Sequence, residues 1–122
     1  MGAKLKGKWK NIGIVLFALL IALFFIAAGW SKVVHPERHI DSFVRWGYPA
    51  WFVYFTGVIE LCGAGFLLIP KGRLVGVAVL GVTMIRAALT HLQAGEITAV
   101  PVPLVLLVIL SILGILNWKK TG

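Results

Sequence analysis

The charged residues of this chain stand in clusters, and the spacing between clusters decides what it can fold into. Four stretches lie between them: Asn11 to Ser31, Trp46 to Pro70 interrupted by Glu60, Leu74 to Gly95 interrupted by Arg86, and Ile97 to Trp118. Each reaches the roughly 20 residues that carry a helix across the hydrocarbon of a bilayer. A soluble core built from 122 residues leaves too much surface in water to absorb a chain that is 60% hydrophobic. The expected fold is all-α: an integral membrane four-helix bundle forming a single domain over residues 1–122, with spans near 11–31, 49–69, 74–93 and 101–118. The first stretch follows a lysine-rich start as a secretory signal would, but its apolar run exceeds the roughly 7 to 15 residues of a signal core, so a retained helix is expected.

The net charge of +8 is distributed as a topology signal and not as a nucleic-acid surface. With four spans, Lys4, Lys6, Lys8, Lys10, Lys71, Arg73, Lys119 and Lys120 fall on one side of the membrane, and Lys32, Arg38 and Arg45 on the other. The positive-inside rule then puts both termini in the cytoplasm, with the protein in the inner (plasma) membrane. The excess cations also suit an anionic lipid surface. Cys62 is the one cysteine, which excludes an internal disulfide or a CxxC redox pair within one chain. Its place two residues from Glu60 puts it on the opposite helix face, where inert packing is expected.

The longest connection, HPERHIDSFVRWGYP from His35 to Pro49, is too long for a turn and too polar to cross. Pro36 suits the first turn of a helix, and Ile40, Phe43 and Val44 recur at i, i+3 and i+4. A short amphipathic interfacial helix over 36–46 is expected, with Trp46, Tyr48 and Trp51 at headgroup level and Gly47 and Pro49 marking the bend into the next span. The link Ile69 to Arg73 is short enough to make the second and third spans antiparallel neighbours.

Glu60 and Arg86 are the residues an apolar environment tolerates least, since a charge at the bilayer centre costs about 2.5–3.5 kcal/mol on insertion scales and turns inward to find a partner. Counted from the connecting loop, their depths differ by about 6 Å at ~1.5 Å per residue, which an arginine covers, so a Glu60–Arg86 pair is expected. At about 100° per residue Thr83, Arg86, Thr90 and Gln93 fall within an arc of roughly 80°, a polar stripe along the third span. On the second span Thr56, Gly57, Gly63 and Ala64 flank Glu60, and small residues of this kind let membrane helices approach closely. Glu60, Arg86, Thr56, Thr83, Thr90 and Gln93 form the expected buried polar network. It serves either to fix helix register or to line a functional cavity.

Lys32 and His91 fall near the outer ends of their spans, with His35 and Glu96 at a similar level, and together they outline the mouth of a cavity opening outward. His35, His39, His91 and Glu96 lack diagnostic metal-ligand spacing, and no metal is expected. The chain carries no GxGxxG, P-loop or GxSxG signature.

GWSK at the end of the first span, WGYPAW entering the second, TGVIEL within it and THLQAGE closing the third stand in an order and spacing that resemble the DoxX-like family of small four-span membrane proteins. The motif-bearing part runs from about Gly29 to Glu96. The resemblance implies a four-helix membrane bundle working as a subunit of a membrane oxidoreductase system, and Lys32, Glu60 and His91 match its recurrent polar positions. Arg86 departs from the small or apolar residue usual at its position. The expected role is a redox-associated, non-catalytic subunit with no intrinsic cofactor that holds a quinone or similar lipid-soluble ligand between its helices. Its expected partners are the lipid bilayer and a membrane or redox protein, with room for a homo-oligomer and none for nucleic acid. A non-enzymatic assembly or scaffolding protein, or a small transporter, stands as the alternative.

Overall fold

The computed structural model describes the backbone of residues 2–121 and the side chains of residues 7–119. The side chains of Lys4, Lys6 and Lys120, counted above among the cations of one face, lie outside these. Five α-helices follow one another: α1 (Gly2–Val34), α2 (Ile40–Arg45), α3 (Phe52–Leu68), α4 (Arg73–Gln93) and α5 (Pro101–Thr121), with single 3-10 turns at Pro36–Arg38 and Ile97–Ala99. The described residues form no strand. Segments of α1, α4 and α5 are each long and apolar enough to cross a membrane, whereas α3 is a shorter apolar helix of 17 residues.

Consecutive long helices run antiparallel, so α1, α3, α4 and α5 form a closed ring in chain order, with α1 and α5 making the thinnest seam. Each turns one stripe inward. On α1 the stripe is Ile14, Ala18, Ile21, Ala22 and Phe25, all buried at helical spacing. It meets Ala64 and Leu67 of α3, Leu80 and Met84 of α4, and Leu110 and Leu113 of α5 in one core. The outer faces stay apolar: Leu20, Val82, Val102 and Val108 are each more than half exposed. A helix hydrophobic all round is at home in lipid.

The small residues on α3 divide between two neighbours. A Cβ on Gly57 would meet Gly29 O of α1 at 2.9 Å, and one on Gly29 would meet Gly57 O at 2.7 Å, so the two backbones touch. Gly63 faces the other way, where a Cβ would lie 2.7 Å from Leu80 Cγ of α4. Between these contacts the same helix carries Glu60 on the α1 side.

The connection after α1 folds back over the end of the ring as a 3-10 turn followed by the two turns of α2. Phe43 is its buried anchor. Of the three aromatics expected at headgroup level, only Trp51 is turned out, at 63% exposure. Trp46 and Tyr48 turn inward, because Gly47 at φ +94° reverses the chain between them.

Gly57→Ala places a methyl group where backbone stands and is expected to destabilise the bundle by about 1–3 kcal/mol. Gly65→Ala, whose Cβ would meet nothing within 4 Å, is the matched neutral control. Thermal unfolding of both variants in nanodiscs checks the difference.

Candidate functional site

A cavity of about 360 Å³ lies under the folded-back segment, between α3 and α4. Phe43, Trp46 and Tyr48 roof it, Phe52 and Phe55 form one wall, and Thr83, Ala87 and Thr90 form the other. Tyr48 and Phe52 stack on one another with centroids 4.7 Å apart and planes 15° apart, tying the roof to the α3 wall as a layered aromatic pair. Phe55 and Val82 stand on the outer face of the bundle as well as on the cavity, so the space opens sideways between α3 and α4.

At its inner end lies Glu60, 3% exposed. Its partner is Lys32 of α1, whose Nζ stands 2.7 Å from Glu60 Oε1. The angle leaves Oε1 without an aligned hydrogen bond, so charge attraction holds the contact. The expected Glu60–Arg86 pair does not form. Depth along the helices allowed it, but rotation does not: Glu60 shares the face of α3 that Gly57 presses onto α1, and the close approach at Gly29 brings Lys32 to it. Lys32, expected at an outer mouth, is thereby drawn into the bundle.

Arg86 takes another route. Its guanidinium sits over the Tyr48 ring at 5.1 Å and the Phe52 ring at 5.8 Å, reaching toward the roof and keeping an exposed flank. Snorkelling toward the end of the bundle and cation–π attraction replace a carboxylate. The threonines of the expected network do not serve it: Thr56 and Thr83 donate to carbonyls one turn back on their own helices, Phe52 O and Val79 O. Thr90 instead meets Tyr48 Oη at 2.7 Å, tying the roof to α4. Gln93 is exposed and outside the cavity, since it falls on the last turn of α4, beyond the level the roof covers. Cys62 faces outward, away from Glu60 and unpacked by the core.

At the rim, Glu96 gathers three donors from separate parts of the chain. Arg45 Nη2 donates to its Oε2 at 2.9 Å, and Trp46 Nε1 and His91 Nδ1 donate to its Oε1 at 3.0 and 2.8 Å. The hydrogen bond from His91 does most to hold the Glu96 carboxyl below the usual carboxylate range; burial opposes it, and the individually weaker hydrogen bonds from Trp46 and Arg45 lower it further. His39 Nε2 lies 2.9 Å from Ser31 Oγ, and burial first, then Lys32 and Arg38, hold its imidazole below the ordinary range. His35 turns to Glu37. The histidines thus go to separate partners, and among the described residues no three His, Cys, Asp or Glu side chains are placed to share a metal.

On the far side of the ion pair lies a second space, between α1, α4 and α5, lined by Phe25, Ala28, Pro103 and Leu106. Lys32, Glu60, Met84, Ala87 and His91 belong to the walls of both spaces, so the pair stands between them.

The model of the DoxX-like family matches residues 16–113, which takes in the ring of helices, the folded-back segment and every residue of the cavity. The chain belongs to the DoxX-like family. It is a membrane protein, and its segments 7–34, 73–93 and 97–119 are the helices long enough to cross. A curated relative, the uncharacterized protein YdgD of Bacillus subtilis (strain 168), is 30% identical over 50 residues, covering 41% of this chain and 44% of that protein. The match therefore spans less than half of the relative's length. No solved structure matches.

Two features were absent from the sequence-based network. Glu96 as a three-donor hub left only a weak signal, the shared outer level of His91 and Glu96. Arg73, expected on a loop, opens α4 and is 1% exposed, donating through Nε to Leu67 O at 2.8 Å and through Nη1 to Asn117 Oδ1 at 3.1 Å. Burying it satisfies a carbonyl at the end of α3 that the helix itself leaves open.

Glu60→Gln leaves Lys32 without its counter-charge and is expected to lower stability by about 3–5 kcal/mol, much of which Lys32→Met in the same chain restores. Unfolding by titration with SDS reads both variants. For Glu96, whose folded-state carboxyl is depressed, the stabilisation is complete above the unfolded value of about 4.3 and is lost as pH falls through the lower folded value. The stability gap between wild type and Glu96→Gln should accordingly be widest near neutral pH and close in acid, as read from tryptophan emission.

Proposed function

We propose that this chain is a ligand-holding membrane subunit of a redox-associated system, with a quinone or similar lipid-soluble ring molecule as the ligand and the redox cofactor in another chain. The observation that carries this reading is the cavity itself: a stacked Tyr48–Phe52 pair joining roof and wall, Arg86 over those rings, and an ion pair at the inner end. Its volume lies within the range of small-molecule sites, and its make-up, mostly apolar with a few convergent polar groups, is that of such sites. The sideways opening at Phe55 and Val82 suits a molecule that arrives from lipid.

The residues fit a quinone head. The ring would lie along Tyr48 and Phe52, and a head oxygen would take hydrogen bonds from donors at the edge of the cavity, Arg86 among them. A quinone carries two electrons and two protons between its oxidised and reduced forms, while the residues of this chain bind and orient it. In this reading α3 is the fourth crossing: its 17 residues at ~1.5 Å per residue come within a few ångströms of a typical hydrocarbon thickness. Both termini then lie in the cytoplasm, with the protein in the plasma membrane, as the distribution of cations favours. Segment 35–49, at the opposite end, faces a partner membrane or redox protein.

Native mass spectrometry of the protein released gently from its own membranes tests this directly. A quinone bound to the wild type and lost in Glu60→Gln and in Tyr48→Ala is the expected result. A protein that carries lipid alone, and takes up no added decyl-benzoquinone, overturns it.

A further inference from the structure

His91 is tied through only one of its ring nitrogens. Its Nδ1 meets Glu96 Oε1 at 2.8 Å, and a carboxylate accepts without donating. Because three donors keep Glu96 ionised, the proton of this hydrogen bond belongs to Nδ1. In the neutral ring Nε2 then carries a lone pair. Trp46 meets the imidazole edge-on with centroids 5.1 Å apart, which fixes its plane, and the ring forms part of the cavity wall. Of the other charged groups around the space, Lys32 and Glu60 are engaged with each other, and Arg86, over the faces of two rings, can only donate.

We propose that Glu96 positions His91 as a hydrogen-bond acceptor toward the cavity, so that the site prefers a hydroxyl-bearing ring, a phenol or hydroquinone, over the corresponding carbonyl form. The inference rests on the ligand-holding role of the cavity proposed above. A ligand hydroxyl donates to Nε2, whereas a carbonyl oxygen in the same place sets one lone pair against another. Glu96 is a positioning residue and touches no ligand; its effect is to hold the tautomer. A glutamine at 96 abolishes that constraint, because its amide can either accept from Nδ1–H or donate to a bare Nδ1. An aspartate keeps it.

The test compares binding of decyl-benzoquinone and of the same molecule reduced to its hydroquinone. Titrations use the full chain in nanodiscs, without oxygen, at about pH 8, with quenching of tryptophan emission as the signal. The wild type should favour the hydroquinone by about tenfold, the factor supplied by a hydrogen bond made in one form and replaced by repulsion in the other. Glu96→Gln and His91→Phe should bring the ratio close to one, and Glu96→Asp should retain it. A merely structural role would lower both affinities together and leave their ratio alone. Equal binding of the two forms by the wild type, or a preference that survives Glu96→Gln, overturns the inference while leaving the cavity reading intact. Binding of neither form overturns both. Should His91→Phe fail to fold, the contrast between Glu96→Gln and Glu96→Asp decides by itself.

Discussion

A carboxylate sealed inside an apolar helix ring is tolerable only with a cation against it, and much of this molecule follows from meeting that demand at Glu60. The cation comes from Lys32, one helix away. To deliver it, α1 and α3 must lie closer than two side-chain-bearing helices can, which Gly29 and Gly57 permit by putting backbone against backbone. The contact draws Lys32 inward from the end of its helix and leaves the neighbouring face of α3 free to form a cavity with α4. One electrostatic requirement thereby sets the helix spacing, the lysine's depth and the place where the bundle is hollow. In a medium of low dielectric such a pair is also hard to break, since either partner alone would be stranded.

What the sequence made legible, and what it hid, divide along a physical line. The all-helical class, with several long apolar helices, follows from run length and charge clusters, because a bilayer imposes its thickness on an apolar segment that crosses it. That small residues of α3 would let helices approach closely was legible for the same reason, but they were expected on one side facing α4, whereas Gly57 goes to α1 and Gly63 to α4. Who pairs with Glu60 was not legible. Depth along a helix can be counted from its ends, but rotation about its axis depends on all its neighbours together, and counting alone favoured Arg86. That arginine meets its needs through Tyr48 and Phe52, of which Tyr48 was expected at headgroup level and is brought inside by the glycine-bent turn at Gly47. The Glu96 hub joins residues 50 and 51 positions apart, which no local pattern reveals.

The two ends of the bundle are built differently. At the short α3–α4 connection, carbonyls and a buried guanidinium close the structure with fixed partners. At the other end, a long connection is folded over the helices and held by Thr90 and Glu96 through side chains alone. Contacts of that second kind open at lower free energy than packed helix interiors, so local opening is expected first at the end where the cavity lies.

Arg73 separates two roles that one positive charge is often assumed to combine. While the chain is being threaded into a bilayer, its charge weighs on which way the flanking segments settle. Once the helices have packed, the same guanidinium is enclosed, with Nε and Nη1 donating to Leu67 O and Asn117 Oδ1, so it is closed off from direct contact with a headgroup. Direct contact with anionic headgroups at this end is left to exposed cations such as Lys8, Lys10, Lys71 and Lys119. A residue can thus direct biogenesis and then be shut away from its surroundings in the finished protein, so the charge tally that orients a membrane protein overstates the number of cations its surface offers for contact.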